Sequence, residues 1–337
     1  MIVLLCSSKN IQQFEFFIIM NISFTVESSQ IFRIAPKATW VQNGFTVAGG
    51  HGRGSELNQL YNPWGLFVDD DQTVYVADYS AHCISEWKSG AASGRIVAGG
   101  KGPENQNGQL SGAIDVIVDK KNDCLIISDY GSRRVARWPR QNGTSGEVVI
   151  SNVVCWGLAM DKEGYLYVAD WDKGEVRRWR IGDSNGVVVA GGNGKGSRLD
   201  QLSGRLYIFV DDDFSVYVSD EDNHRVVKWI KGAKEGIVVA GGLGPGNSLT
   251  QLSCPLGLTV DQLGTVYVAD SGNHRIMRWP KGARKGTIVA GGNSQGGQAN
   301  QLSSPRGLRL DRHGNLYVVD YGDFRVQRFN IDPNSNV

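Results

Sequence analysis

The chain has 337 residues, 41% of them apolar, enough for a sizeable core. Lys and Arg number 35 and Asp and Glu 34, a net charge of +1, which excludes a global field favouring nucleic acid or an acidic membrane. The five cysteines, Cys6, Cys83, Cys124, Cys155 and Cys254, form no CxxC pair, which argues against a disulfide framework or a zinc site.

Residues 1–40 do not repeat. Phe14 to Val26 is mostly apolar but too short and interrupted for a membrane span. It reads as a weak secretory signal, a disordered tail or a start placed too early, with Met20 as another candidate start. Asn21-Ile22-Ser23 and Asn142-Gly143-Thr144 match glycosylation sequons, a pattern short enough to arise by chance.

From there the chain repeats. Six strands end in a small residue and Asp: Asp78, Asp129, Asp170, Asp220, Asp270 and Asp320, at steps of 51, 41, 50, 50 and 50. Nine residues after each Asp stands a large aromatic: Trp87, Trp138, Trp179, Trp229, Trp279 and Phe329. A period in this range marks a solenoid, propeller or array. The fifth copy shows one unit in full. It predicts strands over 255–261, 265–270, 274–279 and 286–290, joined by Gly-, Asn- and Asp-containing turns. Four antiparallel strands per unit, six units and no helical period predict an all-β, six-bladed β-propeller spanning 41–331, with a short tail at 332–337. The sixth copy stops after its third strand. Gly44-Phe45-Thr46-Val47-Ala48-Gly49-Gly50 matches Gly286 to Gly292, so the N-terminal strand is expected to complete the last blade and close the ring.

The repeated residues have structural readings first. The Asp ending strand two is placed to bond turn amides. Arg134, Arg225, Arg275 and Arg325, five residues later, are placed to pair with it. The Trp column is expected to fill space between blades. Asp69, Asp119, Asp161, Asp211, Asp261 and Asp311 read as turn formers after strand one. Gly-rich loops such as 240–252 join each fourth strand to the next first strand, and are expected on the same face as the turns after strand two. The third unit lacks its loop, which accounts for the step of 41.

Asn223-His224-Arg225-Val226 and Asn273-His274-Arg275-Ile276, each after a VYV(A/S)D strand and before a Trp, resemble NHL repeats. The resemblance covers roughly 44–330. Copies one, two, three and six depart from Asn-His-Arg, the third most of all with Lys173-Gly174-Glu175. The resemblance implies a propeller that binds partners. Some relatives join it to RING and B-box domains for ubiquitin transfer. This sequence carries no Cys/His zinc array, so an adaptor role beside a ligase is what remains implied. Other six-bladed propellers, amidating lyases and gluconolactonase-type hydrolases among them, hold a metal in the central channel, and some NHL propellers bind RNA.

Each chemical motif has a plainer reading. Gly292-Asn293-Ser294-Gln295-Gly296 matches G-x-S-x-G but lies between strands rather than on a strand-to-helix turn. Gly50 to Gly54 and Gly192 to Gly196 resemble phosphate loops without a helix behind them. A channel metal needs inward His or carboxylates from several blades. His82, His224 and His274 share one turn column outside the channel, His51 and His313 lie in loop and turn, and Asp115 is the main inward acid. Asp69 to Asp71 and Asp211 to Asp213 read as solvated turns. RNA would need a basic face with interleaved aromatics. Charges on the loop face balance, and Lys231, Lys234, Lys281, Arg284 and Lys285 on the opposite face read as a solvated edge.

The remaining candidate is where the symmetry fails. The missing third loop leaves a notch beside Trp156, in one strand-one column with Trp64, Ile114, Leu206, Leu256 and Arg306. Arg205 replaces the Pro of other copies, and Trp171 follows Asp170. Exposed aromatics with Arg match interaction hot spots. Trp64, Arg133, Arg134, Trp156, Trp171, Arg205 and Arg306 are therefore the expected rim of a surface for a protein or peptide; the alternative is that both Trp residues merely pack the channel mouth. The reading is a monomeric, non-enzymatic scaffold with no cofactor. A metal-dependent channel enzyme and RNA binding stand as alternatives.

Overall fold

The structure is a computed structural model that describes residues 34–102, 108–141, 143 and 145–336. The apolar stretch at 14–26, Cys6 and the asparagines of both sequons lie outside the described residues.

Six four-stranded antiparallel sheets form the blades. Blade one comprises Pro63–Val68, Val74–Asp78, Cys83–Trp87 and Arg95–Gly99; blade two Ala113–Asp119, Cys124–Asp129, Arg134–Pro139 and Glu147–Ser151; blade three Cys155–Met160, Leu166–Asp170, Glu175–Trp179 and Val187–Gly191. Blade four comprises Ile208–Val210, Val216–Asp220, Arg225–Trp229 and Ile237–Gly241; blade five Pro255–Val260, Val266–Asp270, Arg275–Trp279 and Thr287–Gly291. Blade six takes Pro305–Leu310, Leu316–Asp320 and Arg325–Phe329 from the C-terminal end and Phe45–Gly49 from the N-terminal end. The closing strand pairs Phe45 with Arg328 and Gly49 with Arg325, as the match to Gly286 to Gly292 required. Within the segment ahead of it, Ile34, Ala38 and Trp40 are buried against blades five and six.

Each strand of blade five differs from the sequence reading by one residue at one end or both, and two of these limits have a clear physical reason. His274 sits at φ 54°, outside the third strand, because a left-handed residue cannot continue a strand. Asp261 leaves the first strand to accept the Leu263 and Thr265 amides through Oδ1. Its five equivalents bond turn amides in the same way.

First strands of successive blades touch all round the ring and line its axis. They come close enough that the third position is Gly in four blades. At Gly65, Gly157, Gly257 and Gly307 a Cβ would lie within 3.0 Å of Ile114, Leu206, Arg306 and Trp64 carbonyl oxygens respectively. Asp115 and Tyr207 hold this position in the other two blades. The six strand-three aromatics are buried between blades as expected.

Candidate functional site

The Asn-His-Arg turns prove to be the fastening of the Gly-rich loops. In blade five the Asp270 carboxylate, fully buried, accepts the Ser253 amide at 2.6 Å and Arg275 Nε at 2.7 Å. Arg275 then donates to the carbonyls of Asn247, Ser248 and Gln251, and Asn273 to that of Gly246. His274, turned left-handed, accepts the Ser304 amide of blade six through Nδ1 at 3.0 Å, and His224 accepts that of Cys254 likewise. Blade four repeats the Arg and Asn bonds. Arg134–Asp129 and Arg325–Asp320 are the same ion pair at 2.9 Å.

These loops do not stay on the turn face. Leu60, Leu110, Leu202, Leu252 and Leu302 are buried between blades, and Leu57, Leu199 and Leu249 carbonyls accept amides of Gly94, Gly236 and Gly286 at the far end of strand three. The loops fill the wedge that opens between blades toward the rim. Blade three has no loop, and Glu175 stands where blades two, four, five and six carry Arg and blade one carries Cys83. Arg177, at the position of Val227 and Met277, bonds Glu175 at 2.6 Å and the Gly186 carbonyl at 3.3 Å. The third copy departs from Asn-His-Arg because it has no loop to hold.

Strand one turns its second residue into the channel mouth at a β-bulge. There Trp64 meets Trp156 edge-on at 5.2 Å, and the Arg306 guanidinium lies between the faces of Trp64 and Tyr321 at 3.3 and 3.1 Å. Trp156 packs on Tyr130 at 5.3 Å, which leads to Trp171 at 6.5 Å. Lys195 covers Trp171, and Arg205 lies 5.5 Å over Trp64 while paired to the buried Glu221 at 3.0 Å. Five blades thus contribute to one aromatic–arginine cluster.

Of the seven expected rim residues, the structure gathers Trp64, Trp156, Trp171, Arg205 and Arg306. Trp64, Trp156 and Arg306 are 8%, 6% and 9% exposed, so they pack the mouth rather than project from it. Trp171 and Arg205 are half-buried, and Arg133 is exposed with a 3.4 Å pair to Asp172. Arg134 does not reach the rim. It is buried in its Asp129 pair and donates to the Gln109 carbonyl. Tyr130, Tyr207 and Tyr321 were not anticipated. The signal for two of them was a column: the residue after the strand-two Asp is Tyr79, Tyr130, Trp171 or Tyr321 in four blades.

Deeper in the channel a void of about 10 Å³ lies among Leu66, Asp115, Tyr207, Leu258 and Arg309, about the size of one water molecule. Asp115 accepts the Leu158 and Val116 amides at 2.9 and 3.0 Å. Burial pushes its carboxyl up to about 6, against the pull of Arg309 and those amides. A carboxyl raised in the folded state contributes most below its unfolded value near 3.8, and that contribution is lost as pH rises through about 6. A shift of about two units corresponds to about 3 kcal/mol. Between about pH 4 and 7 the wild type is expected to lose stability relative to Asp115→Asn, which has no carboxyl to titrate. Urea unfolding across this range measures it, and parallel curves would refute the assignment.

A cleft of about 300 Å³ lies away from the mouth between blades four and five and is lined by Asp211, Tyr217, Lys228, Asp261 and Lys281 among others. Its Asp211 and Asp261 are committed to turns, and Lys228 to Asp211 and Tyr217. Among the described residues, no three His, Cys, Asp or Glu side chains group to hold a metal ion, and no helix is long and apolar enough to cross a membrane. Lys231, Lys234, Lys281, Arg284 and Lys285 are exposed.

The family profile described as NHL repeat matches residues 60–87, 252–278 and 302–329. No curated protein matches the sequence. Among solved structures the chain is similar to a structural genomics protein of unknown function from Bacteroides thetaiotaomicron VPI-5482, with a TM-score of 0.68 and 17% identity over 86% of this chain and 76% of that one. An auxiliary nutrient binding protein from the same organism has a TM-score of 0.67 and 14% identity over 87% and 77%. Virginiamycin B lyase from Staphylococcus aureus has 0.53 and 11% over 80% and 95%. At these identities the likeness is one of fold. Three blades, one, five and six, carry matched NHL repeats, and the chain folds as a six-bladed β-propeller.

Proposed function

We propose that the propeller is a non-enzymatic binding scaffold that holds a protein or peptide on the face around the channel mouth. The supporting observation is the convergence of aromatic and Arg side chains from five blades, with Arg133, Trp171, Lys195 and Arg205 reaching the surface around buried Trp64, Trp156 and Arg306. Aromatic anchors and Arg carry most of the energy in such interfaces.

Selection of a displayed random peptide library on the immobilised chain tests this. Enriched peptides are expected to lose about 30-fold in affinity when Arg133→Ala, Trp171→Ala and Lys195→Ala are combined, the size of one lost hot spot. All three positions are partly or fully exposed, so the melting temperature should move little. Failure to enrich any peptide, or peptides indifferent to the triple variant, would refute the reading.

A further inference from the structure

The buried polar atoms of the mouth are short of acceptors. Trp64 Nε1, Trp156 Nε1, Tyr207 Oη and Arg306 Nη1 are buried and have no hydrogen-bond partner among the described residues. Their residues are between 5% and 9% exposed. All four atoms donate. The nearby carboxylates are already engaged: Glu221 Oε2 accepts the Arg205 amide and Nε, and Asp115 accepts two amides. A buried donor left unpaired is costly, and proteins retain few of them.

Two of these residues break the repeat. Arg306 stands where other blades offer Ile114, Leu206 and Leu256, and Tyr207 where four blades have Gly. To admit Tyr207, blade four gives up the start of its first strand, which begins only at Ile208, and Arg205 replaces the Pro of its column. Packing alone would be met by the repeat's own aliphatic and Gly residues without unpaired donors. Arg306 is also a buried cation with no ion pair within 4 Å among the described residues, and burial pulls its pKa down to about 10. Tyr207 lies within the electrostatic reach of Arg306.

We infer that the channel mouth is a carboxylate-binding site, in which Arg306 Nη1, the indole N–H groups of Trp64 and Trp156, and the Tyr207 hydroxyl donate to a carboxylate carried by the partner. This rests on the binding-scaffold reading and names the group that the scaffold grips. One cation with a single carboxylate, Glu221, within its electrostatic reach suits a monoanion. A phosphate dianion would bring a second charge with no partner. The guanidinium is held rigidly between two rings, the preorganised donor fork that suits a planar carboxylate.

The test follows the nine indole N–H signals of the ¹⁵N-labelled full chain by NMR, with Trp64→Phe and Trp156→Phe assigning two of them. Titration with sodium acetate and with N-acetylglycine is expected to shift these two signals downfield and saturably. Sodium chloride at equal ionic strength and N-acetylglycinamide should leave them in place. Arg306→Gln should weaken acetate binding at least tenfold. Tyr207→Phe guards against misfolding, since it removes only an unpaired hydroxyl. It should weaken acetate several-fold while the melting temperature holds or rises.

Absence of an acetate shift, equal shifts with chloride or the amide, or tighter binding of inorganic phosphate than of acetate would overturn the carboxylate assignment. Peptides from the library that bind equally well when amidated and to Arg306→Gln would also overturn it while leaving the scaffold reading intact. Conversely, saturable acetate shifts without any enriched peptide would keep the site and refute the scaffold.

Discussion

A chain starting after Gly50 is expected to melt at least about 10 °C below one starting at Ile34, or to lose its cooperative transition. Removing 34–50 strips Phe45–Gly49 from blade six and leaves Arg325–Phe329 as an open edge, which invites aggregation. It also removes Trp40, which packs edge-on to Tyr267 at 5.6 Å and donates Nε1 to the Gly314 carbonyl at 2.9 Å, and Gln42, which donates to the Val289 carbonyl. Burying one large apolar side chain contributes about 1.5–3 kcal/mol. Loss of Ile34, Trp40 and the closing strand therefore costs about 5 kcal/mol or more, a large share of a total that is usually 5–15 kcal/mol. For a domain of this size each 1 kcal/mol moves the melt by about 2 °C. Differential scanning calorimetry of the two chains decides the matter. Coincident melts would mean that the ring is held shut by something other than this strand.

The second large effect is expected at the fastening of a loop. Arg275→Ala should cost about 3–5 kcal/mol, because it leaves the fully buried Asp270 carboxylate without its cation. It also strips three loop carbonyls of their donor. Two further readouts separate this from simple loss of packing. The 243–251 loop should become cleavable by added protease in the variant. The penalty should shrink as the solution is acidified, since protonating Asp270 removes the orphaned charge. Burial already raises the Asp270 pKa with Arg275 in place, and removal of the cation can only raise it further. The double variant Asp270→Asn with Arg275→Met should recover much of the loss. A cost below about 1 kcal/mol for Arg275→Ala, measured by urea unfolding, would remove the pair from its structural role.

The same logic explains why the seven expected rim residues divided as they did. Arg133 and Arg134 are adjacent, yet the first occupies the left-handed turn position, φ 51°, and points to solvent, while the second begins a strand and turns inward to Asp129. Identity and spacing treat them alike; backbone conformation separates them. The Gly-rich loops look in sequence like free surface loops. Only the contacts show that they are wedges. The signal in the sequence that went unread is a repeated Gln-Leu pair, at Gln59-Leu60, Gln109-Leu110, Gln201-Leu202, Gln251-Leu252 and Gln301-Leu302. Each Gln bonds back across its own loop and each Leu is buried between blades.

Sequence by itself determined the blade count, the closing strand, the Asp–Arg pairs, the turn-forming Asp residues and the aromatic column between blades. All of these depend on residues within one hairpin or on a matched terminal strand, so spacing along the chain is enough to specify them. The channel mouth was decided by tertiary structure. Trp64, Trp156, Tyr207, Arg306 and Tyr321 come from four blades and lie up to some 250 positions apart in the chain. They meet because the first strands converge on the axis, where the space left by four glycines and filled by Asp115 and Tyr207 sets which side chains touch and which donors remain without an acceptor.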